Sequence, residues 1–225
     1  MQLTLPILIG IALADSINPV SFGVLIKLLD KYKKSDSKIL DSKAWEYIAS
    51  YLSTYVGTGV VMMMLFSILG NIQPGFYSFL GAVVFILGLL ELNRITNAST
   101  QLKRFTSDPV ERIETYTKNF GQEPGANLAL GMNTALREIG YTGGFYLGLA
   151  GLLALNGSVN DTYVFLFLYN AVIAVPLIII FQLVKNNKSF EDFQLWKPGS
   201  RKPMMLGIAS LQVVLGIWLM FWWFV

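Results

Sequence analysis

Six long apolar runs constrain this chain more than any other feature. They lie near residues 3–29, 44–69, 75–92, 127–155, 162–184 and 204–225. About 20 helical residues cross the ~30 Å hydrocarbon layer of a bilayer, so each run is expected to span it. Backbone polar groups cannot be left open in lipid, which makes helices rather than strands the expected form. Composition agrees: of 225 residues 54% are hydrophobic and 14% are charged, and the mean hydropathy is +0.54. A soluble core of this length cannot hide so much apolar surface. The expectation is an all-α membrane protein of six transmembrane helices.

Charge sets the expected orientation. Sixteen of the 17 Lys and Arg residues, counting Lys27 at the edge of the first run, belong to the loops after the first, third and fifth runs, and none falls after the second or fourth. The positive-inside rule then places those three loops in the cytoplasm and both termini outside, in a multi-pass protein of the plasma membrane. Phe221-Trp222-Trp223-Phe224 fits an aromatic belt at the outer surface. Ala12-Leu13-Ala14 mimics a signal-peptidase site, but no Lys or Arg precedes it and the apolar run continues beyond it, so it is expected to be retained as the first span. In the second cytoplasmic loop, Asp108-Pro109-Val110-Glu111 has the character of a helix start, and apolar residues follow at helical spacing to Phe120. A short amphipathic helix is expected there. Residues 1–93 thus form a first three-helix unit, 94–126 a cytoplasmic linker and 127–225 a second three-helix unit.

Two residue types are missing altogether. Without cysteine there is no disulfide, thiolate nucleophile or thiolate metal ligand, and without histidine no imidazole base or ligand. Basic residues alternate with acidic ones and form no stripe with interleaved aromatics, which argues against nucleic acid as a partner. No cofactor is implied.

The first helix of each unit is interrupted. Asp15-Ser16-Ile17-Asn18-Pro19 breaks the first span, and Arg137-Glu138-Ile139-Gly140-Tyr141-Thr142-Gly143-Gly144 breaks the fourth. Proline removes a backbone donor and clashes with the preceding turn, while paired glycines loosen a helix. Three spans per unit force the second to enter from the opposite side, so two inverted repeats with broken helices 1 and 4 are expected. Matching interruptions in two halves point to a midplane binding site. Asp15, Arg137 and Glu138 are the ionisable groups placed deep in the spans. A charge there is costly and needs a partner or a wet cavity. These groups fit either a polar site between spans 1 and 4 or an internal salt bridge, Arg137 with Asp15 or Glu138. Asn170, beside Tyr169 and ahead of Pro176 as a third kink, is a further polar candidate; an interhelical hydrogen bond is its structural explanation. Tyr47, Tyr51 and Tyr55 recur at every fourth residue, as packing or interface tyrosines do. Gly140, Gly144 and Gly148 form a ladder suited to a close helix crossing.

Leu13-Ala14-Asp15-Ser16-Ile17-Asn18-Pro19 resembles the first motif of the CcdA/DsbD transmembrane family of cytochrome c biogenesis and thiol–disulfide transport. Glu138-Ile139-Gly140-Tyr141-Thr142-Gly143-Gly144-Phe145-Tyr146 resembles the second, and Leu168-Tyr169-Asn170 with Pro176 is similar to the family's fifth helix. The resemblance runs over essentially the whole chain. It implies a reversible intramembrane disulfide that passes electrons from cytoplasmic thioredoxin to thiol partners outside. Val20 and Tyr141 stand where the family has its two cysteines, and Gly140 and Phe145 replace two prolines. Thiolate attack on sulfur needs sulfur, so this chain is expected not to be an enzyme of that kind. A non-redox transporter of a small solute or hard cation is expected instead, with Asp15, Asn18, Pro19, Arg137, Glu138, Tyr141, Thr142, Gly143, Gly144 and Asn170 around the substrate. The alternatives are a non-catalytic structural or assembly subunit of a membrane complex, and a cysteine-substituted form of a thiol–disulfide electron transporter.

Overall fold

The structure is a computed structural model that describes residues 5–16, 19–33, 35–72, 75–96, 125–155, 159–186 and 198–221. The linker helix expected over 108–120 and the aromatic stretch after Phe221 lie outside the described residues. Every element among the described residues is helical: α1 (Leu5–Ser16), α2 (Pro19–Tyr32), α3 (Ser37–Ile72), α4 (Phe76–Thr96), α5 (Ala126–Thr142), α6 (Gly144–Leu155), α7 (Val159–Lys185) and α8 (Pro198–Phe221).

Three stretches, Ser37–Leu69, Phe76–Asn93 and Thr162–Lys185, are long and apolar enough to cross a membrane. They belong to α3, α4 and α7. A bent pair, Leu8–Ser16 with Val20–Tyr32, adds a fourth when taken as one span. The remaining two expected spans take a different form. The stretch 127–155 is divided into α5 and α6, and in α8 the apolar part is the shorter Met205–Phe221.

The interruptions have local causes. Pro19 opens α2, where its missing N–H would have no helical acceptor in any case. At the second break a Cβ on Gly143 would stand 1.7 Å from the carbonyl oxygen of Ile139, so the chain passes there only as glycine. The Gly143 carbonyl then accepts the Leu147 N–H at 2.7 Å and begins α6. Pro176 does not break its helix: α7 continues through it to Lys185.

Helix partners come mainly from the opposite half of the chain. α4 packs most extensively on α8, α3 lies along α5 and α6, and α7 lies along α1 and α2. At the α4–α8 crossing, Gly81 and Gly216 let backbone meet backbone. Gly144 and Gly148 also face α8, against Gln212 and against Leu215 and Leu219. The outward surface is apolar, with Val61, Ile68, Phe79, Leu90, Phe167 and Val214 each more than half exposed. Large apolar side chains on the outside and buried polar ones inside are consistent with a membrane protein.

Candidate functional site

The two acids singled out by the breaks are both buried. Asp15 lies in the last turn of α1 and is 6% exposed; Glu138, in the second half of α5, is 2% exposed. Each receives a tyrosine hydroxyl from the other half of the chain. Tyr169 on α7 donates to Asp15 Oδ2 at 2.6 Å. Tyr51 on α3 donates to Glu138 Oε2 at 2.8 Å. Ser21, in the first turn of α2, donates to Glu138 Oε1 at 3.2 Å. Tyr47 donates to the Ser21 carbonyl at 3.1 Å, which fixes α2 against α3 beside the carboxylate.

An aromatic chain runs between the two carboxylates. Tyr51 stacks between Tyr47 (centroids 6.2 Å apart) and Tyr55 (4.9 Å). Tyr55 meets Tyr146 edge-on at 5.1 Å, and Tyr146 lies 5.6 Å from Tyr169. All five rings are buried. The Tyr146 hydroxyl donates to the carbonyl of Tyr55 and lies where any side chain on Gly59 would be. The repeat of tyrosine every fourth residue on α3 puts three rings on one inward stripe, and α6 and α7 complete the chain from the second half.

The other expected residues are placed as follows. Arg137 is half-buried, next to the fully enclosed Glu138. Asn170 is buried, donates to the Leu166 carbonyl of its own helix at 2.8 Å, and also has its side chain in hydrogen-bonding reach of Tyr146 on α6. The Asn170 Oδ1 has no partner among the described residues. Gly144 lies beneath Gln212, whose fully buried amide has neither its nitrogen nor its oxygen paired among the described residues. Val20 is half-buried at the start of α2. Asn18 lies outside the described residues, as do the side chains of Pro19, Tyr141 and Thr142.

Sequence reasoning missed several members of this interior. Ser21, Tyr146 and Gln212 were not singled out, although a hydroxyl or an amide within an apolar run was a signal available for each. Glu91, near the end of α4, is also buried. Among the described residues no group of three or more Asp, Glu, His or Cys side chains converges as a metal site. A groove of about 390 Å³ between α3, α6 and α7 is lined by Met63, Ser67, Leu153 and Thr162 among others, and by neither carboxylate.

Chemically, the arrangement offers two separate buried acids, each anchored to a helix that ends or bends close by. No family model, curated protein or solved structure matches this chain.

Proposed function

We propose that this protein is a six-span transporter of the CcdA/DsbD architecture that moves a small solute or cation across the plasma membrane without redox chemistry. The observation that carries this reading is the matched pair of contacts, Asp15 with Tyr169 and Glu138 with Tyr51. In each, an acid next to a helix interruption is held by the second long helix of the other half. The helix pairing supports an inverted repeat in the same way. The third helix of one half packs on the third of the other, and each second helix lies along the opposite broken one. Two halves that grip each other's broken helices can rock about a central site, which is how repeat-built transporters expose it to one face and then the other. The distribution of Lys and Arg supports termini on the outside.

The chain's lack of cysteine supplies the test. A Val20→Cys variant in lipid vesicles is expected to react with a membrane-impermeant maleimide added at either face, because the first break is exposed to each side in turn. Reaction from a single face only would reject transport. Introducing Val20→Cys together with Tyr141→Cys tests the resemblance itself. The pair is expected to form an intramolecular disulfide under mild oxidation, read as a gel shift reversed by reductant. Two cysteines that stay free would separate the chain from that family.

A second reading, a static subunit of a membrane complex, is favoured by one observation: the volume between the two carboxylates is filled by Tyr55 and Tyr146. It predicts a stoichiometric partner in mild-detergent purification together with one-sided labelling at position 20.

A further inference from the structure

We propose that Asp15 and Glu138 are two proton-binding sites, one in each half of the molecule, and that the proton is the ion whose movement drives the transport cycle. This rests on the transport reading above and adds the identity of the coupling ion. What the two acids share is a tyrosine hydroxyl at hydrogen-bond distance, 2.6 Å for Asp15 and 2.8 Å for Glu138. A hydroxyl both donates and accepts. It can donate to a carboxylate and, after rotating about its C–O bond, accept from a carboxylic acid. Lys and Arg only donate, and a bond to either holds an acid ionised. An acid in lipid that must gain and lose a proton therefore keeps a partner in both states only beside a group such as tyrosine or serine. Glu138 has one of each, since Ser21 donates to its other oxygen.

The step balances simply. A proton adds to one carboxylate oxygen, the negative charge is lost, no bond to carbon changes, and the proton leaves by the reverse route at the other face. Neutralising the acid removes the charge that opposes its passage through a low-dielectric interior. Besides the tyrosines, the helices packed against α1 and α5 carry Lys27, Asp30 and Lys31 on α2, Lys38, Asp41, Lys43 and Glu46 on α3, Glu91 and Arg94 on α4, Asp161 and Lys185 on α7, and Arg201 and Lys202 on α8, with Arg137 on α5 itself. Toward the helix ends, Lys43 is paired with Glu46 and Lys185 with Asp41. Four buried tyrosines, Tyr51, Tyr55, Tyr146 and Tyr169, run ring to ring from Glu138 to Asp15.

Infrared difference spectroscopy on the full chain in lipid vesicles reads the proton directly. Acidification is expected to raise a carboxylic-acid carbonyl band that moves in D₂O. Asp15→Asn is expected to remove one component of that band and Glu138→Gln another. Tyr169→Phe is expected to shift the Asp15 component to higher frequency while leaving its amplitude, because the carboxyl survives but loses its hydrogen bond. A band untouched by either acid substitution, or no band before the protein unfolds, overturns the proposal. Coupling is read from the Val20→Cys variant under an imposed pH gradient. The ratio of labelling from the two faces is expected to change several-fold, and to stop changing when Asp15→Asn and Glu138→Gln are added. A ratio indifferent to the gradient overturns the coupling. The two failures differ in kind: one-sided labelling with intact carboxyl bands rejects transport but keeps the proton sites, whereas two-sided labelling without those bands keeps transport and rejects the proton.

Discussion

A Gly216→Leu variant is expected to yield no monodisperse protein, and Gly216→Ala to lose on the order of 2 kcal/mol of stability. A Cβ at position 216 would stand 2.4 Å from the backbone nitrogen of Phe85 and 2.6 Å from its Cα. The opposite side of the contact is equally closed, since a Cβ on Gly81 would lie 2.5 Å from the Met220 nitrogen. In both cases the obstacle is backbone, which has no rotamer to change, so relief requires the helices to separate. Little would then draw them together again, because in lipid the association of helices depends on close packing rather than on escape from water. The consequence reaches the proposed site: α4 with α8 is the most extensive packing between the halves. Gly10→Ala and Gly57→Ala are the controls. Neither position has an atom within 4 Å of the added carbon, and each substitution is expected to be neutral or to gain up to ~1 kcal/mol from helix propensity. Fluorescence-detected size-exclusion chromatography after heating ranks all four. Gly216→Leu surviving as well as Gly57→Ala would show that the crossing does not hold the halves together.

How much of this could be foreseen differed from element to element for physical reasons. α3, α4 and α7 were legible because the length of an apolar run is enough to announce a membrane-long helix. The two breaks were legible because proline and glycine act on their own backbone: α2 begins at Pro19, and α5 gives way to α6 at Gly143. Helix pairing was not legible. Side chains that face lipid and side chains that face another helix are both apolar, so Leu80, buried, and Phe79, exposed, look alike in sequence. For the same reason Gly81 and Gly216 did not stand out, since a close crossing is a property of two helices together. Asp15 and Glu138 were found because a charge in lipid demands an explanation. Their partners were only half visible: the spacing of Tyr47, Tyr51 and Tyr55 marked one face of α3, but nothing local announced that Tyr146 and Tyr169 would continue the chain to Asp15. Asn170 was legible as a polar group within an apolar run, but the sequence did not announce that its amide would bond its own helix at Leu166 as well as reach Tyr146 on α6.

Tyr169→Phe is expected to destabilise the protein by about 1–3 kcal/mol, the range for losing a buried hydrogen bond to a charged group. Tyr51→Phe should cost less. Both substitutions keep the ring and its stacking, so the difference lies in the carboxylate left behind. Asp15 loses the hydroxyl bonded at 2.6 Å, while Glu138 keeps Ser21 on its other oxygen at 3.2 Å. The order of the two effects is therefore a sharper expectation than either magnitude. Adding Asp15→Val to Tyr169→Phe is expected to restore most of the lost stability, since removing both partners leaves no buried charge without a donor, whereas removing one leaves the full desolvation cost. A double-mutant cycle measured by equilibrium unfolding in mixed micelles gives the coupling directly, and contacting residues of this kind couple by roughly 0.5–3 kcal/mol. If Tyr169→Phe costs no more than Tyr51→Phe, and Asp15→Val rescues neither, then Asp15 is not held by Tyr169. The grip of one half on the broken helix of the other would have to come from packing alone.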